Sequence, residues 1–243
     1  MRFGLFPLLP LALAGPVSRA AKPVYWLLAG DSTTAPDGGW GDAFLSTTVA
    51  SGSSGHNYGH SGATTASFRA GGDWANVISD IGTNKGEYDV FVTIQFGHND
   101  QKETSGVSLA QYRTNLAKFA SEVKSAGGTP ILVTPLTRRT FSGGKVVQNL
   151  EEQRTTTITV AQENSLKWID LNLASTNYVN AIGQAGADSY NYASGDRTHL
   201  NTWGGVVFSR IVSDLIVEKY PEFVSFTKKN ETLSKTIKSG TLA

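Results

Sequence analysis

Short apolar runs alternate with longer stretches of helical periodicity along this 243-residue chain, and that alternation constrains the fold more than any other feature. Val24–Ala29, Asp89–Phe96 (DVFVTIQF), Pro130–Thr134 (PILVT) and Lys167–Leu171 (KWIDL) read as strands. Their apolar residues are nearly continuous, as in strands buried on both faces of a parallel sheet. A weaker strand is expected near His56–Tyr58, ahead of a Gly-rich loop. Between these runs, Ser108–Ser125 carries Leu109, Tyr112, Leu116, Phe119, Ala120 and Val123 at helical spacing and closes on Gly127-Gly128. Leu150–Leu166 and Trp203–Val217 read as further helices. Parallel strands need long crossovers and helices supply them, so the expected class is α/β with a doubly wound sheet. No repeat or long linker interrupts the pattern, so residues 21–243 are expected to form a single domain. The Lys-, Ser- and Thr-rich tail after about residue 221 is expected to be loosely packed.

The N-terminus follows a different rule. Met1-Arg2 is a short positive region, Phe3–Ala14 is apolar, and Ser18-Arg19-Ala20 places small residues at −3 and −1. This is the pattern of a secretory signal peptide over residues 1–20, cleaved after Ala20, and it predicts a secreted, extracellular protein. The run is too short for a membrane span, which needs roughly 20 apolar residues, and Pro7 and Pro10 interrupt it. There are no cysteines, so the fold is expected to hold by its core alone. With 40% apolar and 17% charged residues the chain has the balance of a folded domain and not of a disordered one. Its net charge of +1 lacks the basic excess of a nucleic-acid binder, so neither nucleic acid nor membrane is an expected partner. Asn230-Glu231-Thr232 is a glycosylation sequon, with Asn230 the candidate acceptor.

Three segments place polar residues where the strands end, which is where open α/β sheets bind ligands. They are Gly30-Asp31-Ser32, Gly97-His98-Asn99-Asp100, and Asp196-Arg197-Thr198-His199 ahead of the last long helix. Taken singly, each reads as turn or N-cap chemistry. Together they hold the residue types that acyl transfer requires. A serine hydroxyl needs a base to take its proton, the base is usually a histidine oriented by a carboxylate, and donors must meet the oxyanion. Only four histidines exist, His56, His60, His98 and His199, and Asp196 lies three residues before His199.

The blocks GDST, NYGHSGATT, GHND and DRTH occur in the order found in SGNH, or GDSL-type, hydrolases, and the chain resembles that superfamily. The segments AGDSTTA, GGWGDAF, QFGHNDQK, LVTPLTRRTF and GDRTHLNTWGG make it similar to rhamnogalacturonan acetylesterases, carbohydrate esterase family twelve. The resemblance implies a three-layer α/β/α sandwich around a five-stranded parallel sheet of flavodoxin-like type. It implies a catalytic triad of Ser32, Asp196 and His199. The oxyanion hole would be formed by the Ser32 amide, Gly62 and Asn99, with Gly59 the alternative to Gly62. The implied activity is removal of O-acetyl groups from a pectic cell-wall polysaccharide through an acetyl-enzyme. Neither a cofactor nor a metal is implied, and the expected assembly is a monomer.

Other readings remain open at this level. Another O-acetyl polysaccharide esterase or a lipase-like esterase would share the same blocks. A metallophosphoesterase also uses Gly-Asp and Gly-Asn-His-Asp blocks, but here the order is Gly-His-Asn-Asp and no Asp-x-His pair opens the chain. A non-catalytic carbohydrate-binding protein would use its tryptophans. Of these, Trp26 and Trp168 are expected in the core, whereas Trp40 and Trp203 are candidates to line a cleft. Arg138 and Arg139 follow a strand and are candidates to meet galacturonate carboxylates, since a guanidinium offers a planar two-donor fork. The competing reading gives one or both of them internal partners.

Overall fold

The computed structural model describes Met1 and residues 22–243, so the expected signal segment, Met1 apart, lies outside the described residues. The strands are β1 (Val24–Gly30), β2 (Ser54–Asn57), β3 (Asp89–Gln95), β4 (Thr129–Val133), the two-residue β5 (Phe141–Ser142) and β6 (Lys145–Val146), and β7 (Lys167–Ile169). The helices are α1 (Gly41–Thr47), α2 (Thr65–Ala70), α3 (Asp73–Asn84), α4 (Leu109–Ala126), α5 (Glu151–Glu163), α6 (Leu171–Asp188), α7 (Thr202–Lys219) and α8 (Glu231–Lys238). Five strands form one sheet in the order β2-β1-β3-β4-β7, parallel throughout, while β5 and β6 make a separate antiparallel hairpin.

Successive side chains of a strand face opposite sides, and that period divides the core in two. Val24, Trp26 and Leu28 of β1, with Ile131 and Val133 of β4, pack against residues of α1, α6, α7 and α8. Leu27 and Ala29 of β1, with Leu132 of β4, join Val90, Val92 and Ile94 of β3 against α2, α3, α4 and α5. The result is helix, sheet and helix in three layers, and it is the α/β architecture expected from the sequence.

The sheet reverses its winding direction between β1 and β3, so the loops leaving these two strands diverge and open a crevice. Ser32 follows β1 by two residues and Asn99 follows β3 by four. At the end of β1 a side chain on Gly30 would lie 2.3 Å from Thr34 Oγ1 and 2.8 Å from Gln95 O. Only glycine lets the chain turn so tightly against the neighbouring strand.

The tail corrects the sequence reading. Instead of being loosely packed, residues 221–226 form a short 3-10 segment that buries Phe223, and α8 places Leu233 and Ile237 on the core. Polar side chains alone had suggested looseness, but the apolar residues recur at helical spacing and find α7 as their partner. Asn230 caps α8, its side chain accepting from Leu233 N at 3.1 Å. Among the described residues no helix is long and apolar enough to cross a membrane.

Candidate active site

The turn after β1 is fixed by Asp31. Its Oδ1 accepts from Thr33 N at 2.9 Å and from Thr33 Oγ1 at 2.7 Å, and its carbonyl accepts from Thr34 and Ala35 amides, each at 3.0 Å. Ser32 is thereby held at the crevice and is only 6% exposed. The second loop is organised around Asp196, whose Oδ1 accepts from the amides of Thr198 and His199, both at 3.0 Å. Its other oxygen lies 2.8 Å from His199 Nδ1. A proton on Nδ1 donated to that carboxylate leaves Nε2 as an acceptor, and Nε2 stands 2.9 Å from Ser32 Oγ. Burial alone raises the Asp196 pKa, but the two amides and the His199 ring outweigh it, so this carboxyl stays below its ordinary value.

Three donor groups gather beside Ser32. Gly62 is the third residue of the His60–Ala63 turn, which is closed by Ala63 N donating to His60 O at 3.1 Å. Its φ of +82° is the left-handed value that a type II turn requires at this position. Among the described residues the Ser32 and Gly62 amides donate no hydrogen bond. Asn99 has its amide held from both ends: Oδ1 accepts from Lys102 Nζ at 2.7 Å, and Nδ2 donates to Ala63 O at 3.0 Å. An amide nitrogen carries two hydrogens, so one remains free. Ser32, Gly62, Asn99, Asp196 and His199 all line one cleft of about 550 Å³. Gly59 does not line it: a Cβ there would lie 2.4 Å from Ala35 N, so it is a packing glycine.

The expected substrate contacts fare differently. Arg138 lines the cleft, but its fork is engaged, Nη1 donating to Thr198 Oγ1 at 2.6 Å and Nη2 to His98 O at 3.3 Å. Arg139 is a correction, because it is fully buried and cannot meet substrate. Its Nε donates to Asn191 Oδ1 at 2.9 Å, and its Nη2 to the carbonyls of Asp196 and His199 at 3.2 and 2.5 Å. Burial draws its pKa down to about 10 despite Asp196 and Asp188 nearby. Trp40 is a second correction: it is fully buried, and its Nε1 donates to Gln95 Oε1 at 2.9 Å beneath the site. Trp203 is a third. It is half exposed but does not line the cleft, and its Nε1 donates to Ala243 O at 3.0 Å. Of the two tryptophans expected in the core, Trp26 is fully buried, whereas Trp168 is half-buried beneath Lys219 Nζ, 3.0 Å from the ring centroid.

Sequence reasoning missed several supporting residues. Lys102 orients Asn99, and its spacing three residues past Asn99 was the available signal. His98 Nδ1 stands 3.7 Å from Asp31 Oδ2, both side chains being buried. Burial raises the Asp31 pKa, but the His98 ring and the Thr33 donors outweigh it and leave the carboxyl below its ordinary value. Asp100 Oδ1 accepts from Thr65 N and Oγ1 at 2.9 and 2.6 Å, tying the third block to the start of α2. Among the described residues no three His, Asp or Glu side chains are grouped to hold a metal ion.

A sheet of this topology, with a serine, histidine and aspartate in hydrogen-bonded sequence at its crevice, defines the class of α/β serine hydrolases. Residues 28–205 match the GDSL-like lipase/acylhydrolase family, and the chain belongs to it. It is a carboxylic ester hydrolase of that family. Rhamnogalacturonan acetylesterase RhgT of Bacillus subtilis is 31% identical over 218 residues, covering 81% of this chain and 91% of the relative. Solved structures share the fold. The Bacillus subtilis protein YXIM superposes with a TM-score of 0.71 at 24% identity over 85% of this chain, which spans 58% of that one. A lipase/acylhydrolase from Enterococcus faecalis gives 0.59 at 22% identity, with 85% of this chain and 98% of that one covered. An acetylxylan esterase from Geobacillus stearothermophilus gives 0.57 at 19% identity, with 82% and 94% covered.

Proposed function

We propose that this chain is a secreted serine acetylesterase that removes O-acetyl groups from a pectic cell-wall polysaccharide of the rhamnogalacturonan type. The observation that carries the reading is the hydrogen-bonded sequence Ser32 Oγ, His199, Asp196, with distances of 2.9 and 2.8 Å. Ser32 Oγ attacks the acetyl carbonyl while His199 Nε2 takes its proton. Asp196 stabilises the imidazolium and holds the ring in place. The carbonyl oxygen, now an oxyanion, is met by the Ser32 and Gly62 amides and the free Asn99 Nδ2 hydrogen. The tetrahedral intermediate collapses, the C–O bond to the sugar breaks, and His199 returns the proton to the departing hydroxyl. Water then attacks the acetyl-Ser32 ester by the same route and releases acetate. No step calls on a cofactor.

The pectic substrate rests on the likeness to the Bacillus rhamnogalacturonan acetylesterase and on the cationic side chains of Lys102 and Arg138 at the cleft. Secretion rests on the signal pattern of residues 1–20. Acetate release from acetylated pectic, xylan and mannan polymers tests the reading. Release is expected to be fastest on the rhamnogalacturonan polymer, and equal or faster release from xylan overturns the substrate assignment. N-terminal sequencing of protein recovered from the medium should begin at Ala21.

A further inference from the structure

The cleft over Ser32 does not end at the triad. A second cavity of about 600 Å³ adjoins it, and the two share Asp37, Gly38 and Tyr192. Either alone lies in the range of about 300–1,000 Å³ that holds a drug-sized ligand, so together they exceed what one acetylated sugar fills. Tyr192 stands at the junction with 49% of its surface exposed. The ring is nonetheless fixed. Its hydroxyl donates to Asp37 Oδ2 at 2.9 Å, and its backbone amide donates to His199 O at 3.0 Å. The loop segments flanking the junction are tied together as well, Leu200 N donating to Gly38 O at 2.8 Å.

An exposed aromatic ring anchored at both ends is an apolar platform with a polar tip, and the C–H face of a sugar is its natural complement. Past the ring the lining turns to hydroxyl, amide and carboxylate groups, among them Ser46, Asn201, Thr202 and Asp42. These are partners for sugar hydroxyls. The charges differ between the two: in the Ser32 cleft Lys102 and Arg138 stand beside Asp37 and Asp196, whereas Asp37 and Asp42, and no Lys or Arg, line the second cavity. Like charges brought together repel. An acidic sugar is therefore disfavoured in the second cavity, where no cation offsets the two carboxylates.

We propose that the second cavity is a subsite for an uncharged sugar unit next to the one that is deacetylated, with Tyr192 as its stacking platform. The proposal rests on the reading of the chain as a polysaccharide esterase.

The test uses deacetylated oligosaccharides as competitive inhibitors of aryl acetate hydrolysis, each variant being compared with its own uninhibited rate. The probes are an alternating uronate–neutral oligosaccharide, an all-uronate oligosaccharide of equal length, and a neutral xylo-oligosaccharide. For the wild type, the alternating probe is expected to inhibit at least about fivefold more tightly than the all-uronate one. Tyr192→Ala should weaken the alternating probe by at least about fivefold, and Tyr192→Phe, which keeps the ring, should stay within about twofold of wild type. Equal weakening by both variants, or by neither, overturns the platform. All-uronate binding as tight as alternating binding overturns the neutral subsite. If the xylo-oligosaccharide binds best and still depends on the Tyr192 ring, the subsite stands and the pectic reading falls. If no oligosaccharide inhibits the wild type, both fall.

Discussion

Ser32 is 6% exposed, yet its hydroxyl faces the imidazole of His199 across 2.9 Å. A serine without that base is a weak nucleophile, so the activity belongs to the pair and not to the residue. Ser32→Ala should fold as wild type and lose on the order of 10³-fold or more in kcat. A fluorophosphonate probe should label Ser32 alone, and mass spectrometry of the labelled peptide checks this. Asn99 works through its one free amide hydrogen. Asn99→Ala should lower kcat by roughly 10²–10³ with little change in KM, because the oxyanion exists only in the transition state. Lys102→Met removes the group that holds Asn99 Oδ1, and on a small neutral aryl acetate its loss should also appear in kcat more than in KM.

At the scale of elements, two short segments carry the site, and each is held by residues far away in sequence. The Asp196–His199 segment is gripped by Arg139, which follows β4. Removing that guanidinium leaves Asn191 Oδ1 and the Asp196 carbonyl without their donor and takes from the His199 carbonyl one of its two, the Tyr192 amide remaining; a polar group left unpaired away from water costs up to about 1–3 kcal/mol. Arg139→Met should therefore lower both the melting temperature and kcat, while Arg138→Met should spare the melting temperature more. Arg139→Lys should not restore the wild-type value, since an ammonium cannot reproduce a planar fork. Thermal melts beside steady-state kinetics on an aryl acetate decide it. The His60–Ala63 turn depends on Gly62 at φ +82°. Gly62→Ala has room for its methyl but forces an L residue into the left-handed region, so it should cost about 1 kcal/mol and displace the amide that faces the oxyanion.

For the whole molecule, acid stability follows from the carboxyls beneath and beside the site. Asp31, Asp188 and Asp196 have folded pKa values below their ordinary ones. For Asp188 the Arg197 guanidinium is the main cause. In the window from the ordinary carboxylate range downward, the unfolded chain binds more protons than the folded one, so stability falls as pH falls. Asp100 has the opposite sign: burial raises its pKa, and stability is lost as pH rises through that raised value. Asp31→Asn should flatten the acid-side decline in a series of melts from pH 6 to 3. The C-terminal region is a second whole-molecule feature. Phe223 is buried against Trp26 and Phe91 of the sheet, so Phe223→Ala should cost about 3–5 kcal/mol in a urea titration.

The sequence by itself determined the class of fold, because runs such as Asp89–Phe96 and the helical spacing of Ser108–Ser125 are local patterns read over a few residues. It also placed the polar blocks, since Ser32, Asn99 and His199 each follow or precede a legible element. It did not distinguish Arg138 from Arg139, or Trp40 from Tyr192. Adjacent arginines carry the same chemistry, and only the path of the chain decides that one lines the cleft while the other is buried against a segment more than fifty residues away. Nor did it show that the tail packs, because the apolar stripe of α8 has meaning only beside α7. Local pattern fixes which elements form, whereas burial and partner choice depend on contacts between residues distant in the chain, and those exist only once the three layers have closed.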